Sequence, residues 1–152
     1  MSPRLSLAVA LAFAVVGCAP PRPASPPAPS NAAAPLSAQG AWRLQSATDA
    51  GGRALLPRGL DYRLQFVDGR INVLGGCNRM FGDFRVAEGR LVIGPLASTR
   101  MACEGSKMQQ DATLARLLEQ PLSMAVLESH PEQLRLRAGN GDTLAFTALP
   151  LE

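Results

Sequence analysis

The sequence is poor in the side chains that carry most enzyme chemistry. It contains one histidine, His130, one lysine, Lys107, one tryptophan and one tyrosine in 152 residues. Nucleophilic catalysis needs a hydroxyl or thiol beside a base. His130 stands next to Pro131 in a turn, so Ser98 and Thr99 have no second histidine to activate them, and no G-x-S-x-G elbow is present. A metal site needs more ligands than one histidine and two nearby cysteines provide. The pair Gly75-Gly76 precedes a cysteine and lacks the lysine of a phosphate loop. Carboxylates such as Asp83 and Glu88 read as strand-surface and turn residues. No enzyme activity, cofactor or metal is therefore expected. Like charges never run together, aromatics are few, and the formal net charge is only +3. The concentrated basic face of a nucleic-acid binder is missing, so no nucleic-acid partner is expected.

Long hydrophobic runs are also scarce. The one apolar run, from Leu5 to Val16 behind Arg4, is too short for a stable membrane span and reads as the h-region of a signal peptide over residues 1–17. It ends in Val15-Val16-Gly17-Cys18, which resembles a bacterial lipobox, and the resemblance implies acylation of Cys18 (a palmitate-type anchor). Several acyl chains, at ~0.8 kcal/mol per buried methylene, hold a protein stably at a membrane. Ala19 follows the cysteine in place of the aspartate that, in the lipoprotein-sorting pattern, retains such proteins at the inner membrane. The expected address is the outer membrane, lipid-anchored and facing the periplasm. Residues 18–40 then form a Pro-, Ala- and Ser-rich stretch that buries too little to fold and favours polyproline II. At ~3.1 Å per residue such a tether reaches on the order of 60 Å.

The remaining residues, 41–150, suit one compact domain. With Cys18 assigned to lipid, Cys77 and Cys103 are an even pair in an oxidising compartment, which fits a structural disulfide. By the chain-entropy estimate it stabilises the fold by roughly 3.5 kcal/mol. Metal binding and a redox pair are the competing readings. The first lacks ligands, and the second usually places its cysteines two residues apart.

Period-two alternation dominates the domain, the mark of half-buried strands. Trp42 and Leu44 open it, and a glycine-rich loop, DAGGRALLPRGLD, follows. Tyr62, Leu64 and Phe66 alternate up to a tight Asp68-Gly69 hairpin, and Ile71 and Val73 lead away from it. Phe84 and Val86 come next, then a Glu88-Gly89 turn into Leu91 and Ile93, limited by Pro95. Leu122, Met124 and Val126, then Leu134 and Leu136, then Leu144 and Phe146 complete the alternation. One segment breaks it. Ser106 to Gln109 fits a capping box, and Leu114, Leu117 and Leu118 recur at helical spacing until Pro121. The expected fold is mainly β (α+β): a curved antiparallel sheet or small open barrel of about eight strands. One helix packs on it or plugs a barrel end.

Three pieces of the central stretch carry a family pattern: Gly76-Cys77-Asn78-Arg79, then L-x-I-G-P-L at 91–96, then S-T-R-M-A-C at 98–103. Together they resemble the core motif of the META domain, the family of HslJ-like heat-shock lipoproteins. The resemblance implies the same curved sheet or small barrel with a packed helix, and a stress-related role in the envelope. It does not assign roles to Asn78, Arg79, Ser98, Thr99 and Arg100. A Cys77–Cys103 bond draws these two polar clusters together. Arg100 is then able to satisfy loop carbonyls or pair with Asp83 or Glu104, a structural role. Equally, Arg79 and Arg100 can form an exposed site for an anion or a partner protein. The functional expectation is a non-enzymatic envelope lipoprotein that binds an unidentified envelope component. The alternative is a carrier of a small acidic lipid-like ligand.

Overall fold

The computed structural model describes residues 34–38 and 40–150. The signal peptide, the lipidation site Cys18 and the first part of the tether lie outside the described residues. Nine strands follow a short helix, α1 (Ala34–Ser37). These are β1 (Ala41–Thr48), β2 (Arg63–Val67), β3 (Arg70–Leu74), β4 (Met80–Ala87), β5 (Arg90–Ile93), β6 (Ala97–Ser98), β7 (Leu122–Leu127), β8 (Gln133–Ala138) and β9 (Thr143–Leu149). The long helix α2 (Gly105–Leu118) separates β6 from β7.

The sheet order is β3-β2-β1-β9-β8-β7-β5-β4-β6, and β3 also pairs with β4. That last pairing closes eight antiparallel strands into a barrel, with the two-residue β6 as an extra strand against the start of β4. The open barrel expected from sequence is thus closed, because β4 serves both β3, over Met80–Asp83, and β5, over Phe84–Ala87. Closure removes most exposed sheet edges.

The hairpin turns follow from local chemistry. Asp68 and Gly69 have φ of 49° and 75°, and Glu88 and Gly89 have 53° and 72°. Two consecutive left-handed residues make the turn whose twist matches the flanking strands. A register shift between Leu44 and Ser46 bulges β1 where it runs along β9.

Alternate residues of the strands fill the interior. Trp42, Leu64, Ile71, Val73, Leu91, Leu134 and Leu136 are fully buried, and they form one core cluster with Leu114, Leu117 and Leu118 of α2. The strand directions put the ends of β1, β3, β5 and β8 and the starts of β2, β4, β7 and β9 at one end of the barrel. The helix α2 crosses that end on its way from β6 to β7.

Two expectations change. The tether does not run to residue 40: Leu36 is fully buried, and its carbonyl accepts the Trp42 indole N–H at 3.1 Å. An apolar side chain and an indole needing an acceptor make residues 34–37 part of the domain. The capping box at Ser106 does not form either. The helix begins two residues earlier, at Gly105, with Glu104 as its N-cap and no side-chain capping bond.

Candidate functional site

The polar centre of the molecule lies where α2 meets the turn between β3 and β4. Asp111 sits on the inward face of α2, one turn before Leu114, and is 5% exposed. An isolated buried carboxylate is costly unless its oxygens are satisfied. Tyr62, just ahead of β2, donates its hydroxyl to Asp111 Oδ1 at 2.6 Å. The backbone N–H of Asn78 donates to Oδ2 at 2.7 Å, and its side-chain Nδ2 reaches the same oxygen at 3.3 Å. Burial, together with the hydrogen bond to Asp111 and its charge, pushes the Tyr62 phenol above its usual value of 10.0.

Asn78 uses its other atom on the second cluster. Its Oδ1 accepts the Met101 backbone N–H at 2.7 Å and the Thr99 hydroxyl at 3.1 Å. The Thr99 hydroxyl oxygen in turn accepts the Arg79 N–H at 3.1 Å, while the Thr99 N–H donates to the Arg79 carbonyl at 3.0 Å. Cys77 and Cys103 are joined in a disulfide with Cα atoms 6.0 Å apart. The loop 75–79 is therefore tied covalently and by hydrogen bonds to the segment 98–103, and through Asp111 to the helix. Among the described residues no buried side-chain nitrogen or oxygen lacks a partner.

The glycines ahead of Cys77 make this approach possible. Gly75 has φ of 91°, and a Cβ there would fall on the Asp61 carbonyl. A Cβ on Gly76 would collide with the Asp111 carboxylate and the Tyr62 ring. Both positions need a residue without a side chain.

The structure separates the five motif residues proposed from sequence. Asn78 is 9% exposed and Thr99 supplies a bridging hydroxyl, so both hold loops together. Ser98 is exposed on β6 and donates to the Thr99 carbonyl at 3.0 Å. Arg79 and Arg100 are exposed, and neither guanidinium has an ion-pair partner among the described residues. The pairing of Arg100 with Asp83 or Glu104 is absent; Asp83 lies 4.0 Å from Arg70 instead, across the β3–β4 ladder. Met101, 62% exposed, stands next to Arg100.

Sequence reasoning missed Asp111 and the role of Tyr62. The signal was present: Asp111 falls on the same helical face as Leu114 and Leu118, at spacings of three and seven residues. A lone acid within an apolar stripe needs a buried donor, and Tyr62 is the only tyrosine in the chain. Among the described residues no cluster of metal-ligating side chains occurs.

Comparison with known proteins agrees with this architecture. A family model for the META domain matches residues 34–150, a span that begins at α1. The chain is similar to the NMR structure of a protein from Burkholderia xenovorans, at 30% identity and a TM-score of 0.65, covering 88% of this chain and 99% of that one. A second NMR structure of a protein shares the fold at 22% identity and a TM-score of 0.54, over 75% of this chain and 92% of the other. No curated protein matches. With most of its length matched by the family model, and the motif closed around Asn78 and Asp111, the chain belongs to the META domain family.

Proposed function

We propose that this protein is a non-enzymatic envelope lipoprotein, anchored through Cys18 at the periplasmic face of the outer membrane, whose META domain is a stress-related binding module. The observation that carries the reading is the division within the motif. The polar atoms able to do chemistry, on Asn78, Thr99 and Asp111, are engaged with one another and with the backbone. Arg79 and Arg100 project outward beside the exposed Met101, which suits contact with a partner rather than turnover of a substrate. The chain's one histidine, His130, lies in the β7–β8 turn, at the opposite end of the barrel from Ser98.

The carrier reading gains little. The barrel is filled by its own side chains, from Trp42 to Phe146. A cleft of about 510 Å³ at the end away from α2 is lined by Glu128 and Glu132, the wrong charge for an acidic ligand.

The test is photo-crosslinking in bacterial cells from position 79 or 100, before and after a temperature shift, with palmitate labelling of Cys18→Ala as the anchor control. The reading expects an adduct with an envelope component that strengthens after the shift, and loss of label in Cys18→Ala. Alkylphosphonate labelling of Ser98 would contradict the non-enzymatic part.

A further inference from the structure

The chain that carries Arg100 and Met101 into α2 hangs on one covalent bond. From Ala97 to Gln109 every residue is exposed except Cys103, which is half-buried. The start of this stretch is fastened by the β6–β4 pairing and by the bonds from Thr99 and Met101 to Arg79 and Asn78. Beyond Met101 the support stops. Among the described residues, Ala102–Gln110 make no hydrogen bond or ion pair to the barrel. The bond from Cys103 to Cys77 is the one specific tie over that length.

The helix beyond it is anchored unevenly. It starts with no side-chain cap and no acid in its first turn, and Asp111 is its first buried residue. Its far half is secure: Leu114, Leu117 and Leu118 enter the core, and Glu119 accepts the Leu96 N–H at 2.9 Å. A cavity of about 110 Å³ lies between the first turns and the glycine loop, lined by Tyr62, Gly75, Gly76, Cys77, Lys107 and Gln110. An exposed, uncapped helix start with space beneath it opens at little cost once released. The loops themselves stay joined without the sulfur bond, since Asn78 connects Asp111, Thr99 and the Met101 N–H.

We propose that Cys77–Cys103 is an exchangeable bond, opened by a dithiol oxidoreductase, and that opening it frays Ala102–Gln110 while the barrel stays folded. The oxidoreductase's thiolate attacks Cys103 Sγ, the sulfur carried by the exposed segment. The S–S bond breaks and Cys77 leaves as a thiolate. Asn78 Nδ2 donates to Cys77 Sγ at 3.4 Å, and a donor at the leaving sulfur favours its departure. The second thiol of the oxidoreductase then attacks the mixed disulfide and releases Cys103. Two electrons and two protons pass to the cysteine pair, and the oxidoreductase ends as a disulfide. The inference rests on the binding-module reading and names a regulation of it: the bond orders the chain bordering Arg100 and Met101.

The test is amide hydrogen exchange of the full chain in detergent, oxidised and after dithiothreitol, with the state of the bond read by mass. Reduction should speed exchange at Lys107–Gln110 at least about tenfold and leave Asp111–Leu118 and the strands protected. The double variant Cys77→Ser, Cys103→Ser should show the reduced pattern. Unchanged exchange at Lys107–Gln110 would overturn the inference. So would lost protection across the strands, which would make the bond a staple of the whole fold. The direction of attack is read by acid-quenching the oxidised chain with glutathione, which should appear on Cys103 at least about fivefold more than on Cys77. An adduct chiefly on Cys77, or reaction in the denatured chain alone, would contradict the proposal. Crosslinking in cells separates the two levels. Adducts from position 100 should fall at least about fivefold in the double variant, because a loosened segment must be ordered on binding. Undiminished adducts would remove the regulation and leave the binding module standing. The absence of adducts from positions 79 and 100 in the parent chain would remove both.

Discussion

Asp111 shares its two oxygens between Tyr62 and Asn78, which flank the β2–β3 hairpin at its open end. The raised Tyr62 phenol gives this contact a pH signature. Its folded-state value lies above the unfolded one, so it contributes stability that is fully present below pH ~10 and lost as pH rises through the folded value. Because Tyr62 is the only tyrosine, absorbance at the phenolate band reads it directly. The folded protein should show no phenolate step near pH ~10, the denatured protein should show one there, and Tyr62→Phe should show none. A step at the ordinary value in the folded state would mean that the hydroxyl is not held by Asp111. Gly75 makes a second prediction at this scale. Gly75→Ala places a Cβ against the Asp61 carbonyl at a left-handed position, and should lower the unfolding free energy by about 2 kcal/mol or more in a denaturant titration.

Among the elements, the strands were the most legible, because a barrel wall with one wet and one dry face imposes period two on nearly every segment. The hairpins at Asp68-Gly69 and Glu88-Gly89 could be read for an equally local reason. Features set by distant contacts could not be read. β6 is two residues long and exists only as a partner for the start of β4, so no periodicity marks it. The helix was visible from its leucines but not its first residue, since Ser106 and Gln109 imitate a capping box that Glu104 pre-empts as N-cap. Ser106→Ala should therefore change stability by less than ~0.5 kcal/mol. Leu117→Ala, which empties a fully packed position between α2 and the barrel, should cost about 2–5 kcal/mol. Equal effects from the two substitutions in thermal or denaturant unfolding would contradict the placement of the helix.

At the scale of the whole molecule, closure of the barrel depends on β4 changing partners from β3 to β5 midway, a choice no local pattern records. The early start of the domain was hidden for a similar reason: Leu36 sits in a proline- and alanine-rich stretch and gains its role only from Trp42. The candidate site was half legible. Its cysteines and polar clusters stood out, while the Asp111 that gathers them lies 33 residues after Asn78, on another element. The motif has two parts: Asn78 fastens the loops to α2, and Arg79 and Arg100 stay exposed, where the proposed binding role places a partner. Denaturant unfolding of Asn78→Ala, Arg79→Ala and Arg100→Ala, with the disulfide verified by mass, tests this most directly. Asn78→Ala should lose about 2 kcal/mol or more, because it removes the one side chain that joins the buried Asp111 to Thr99 and the Met101 N–H. The arginine variants should stay within ~0.5 kcal/mol of the parent. A loss in either arginine variant as large as that of Asn78→Ala would contradict the account and make the whole motif part of the scaffold.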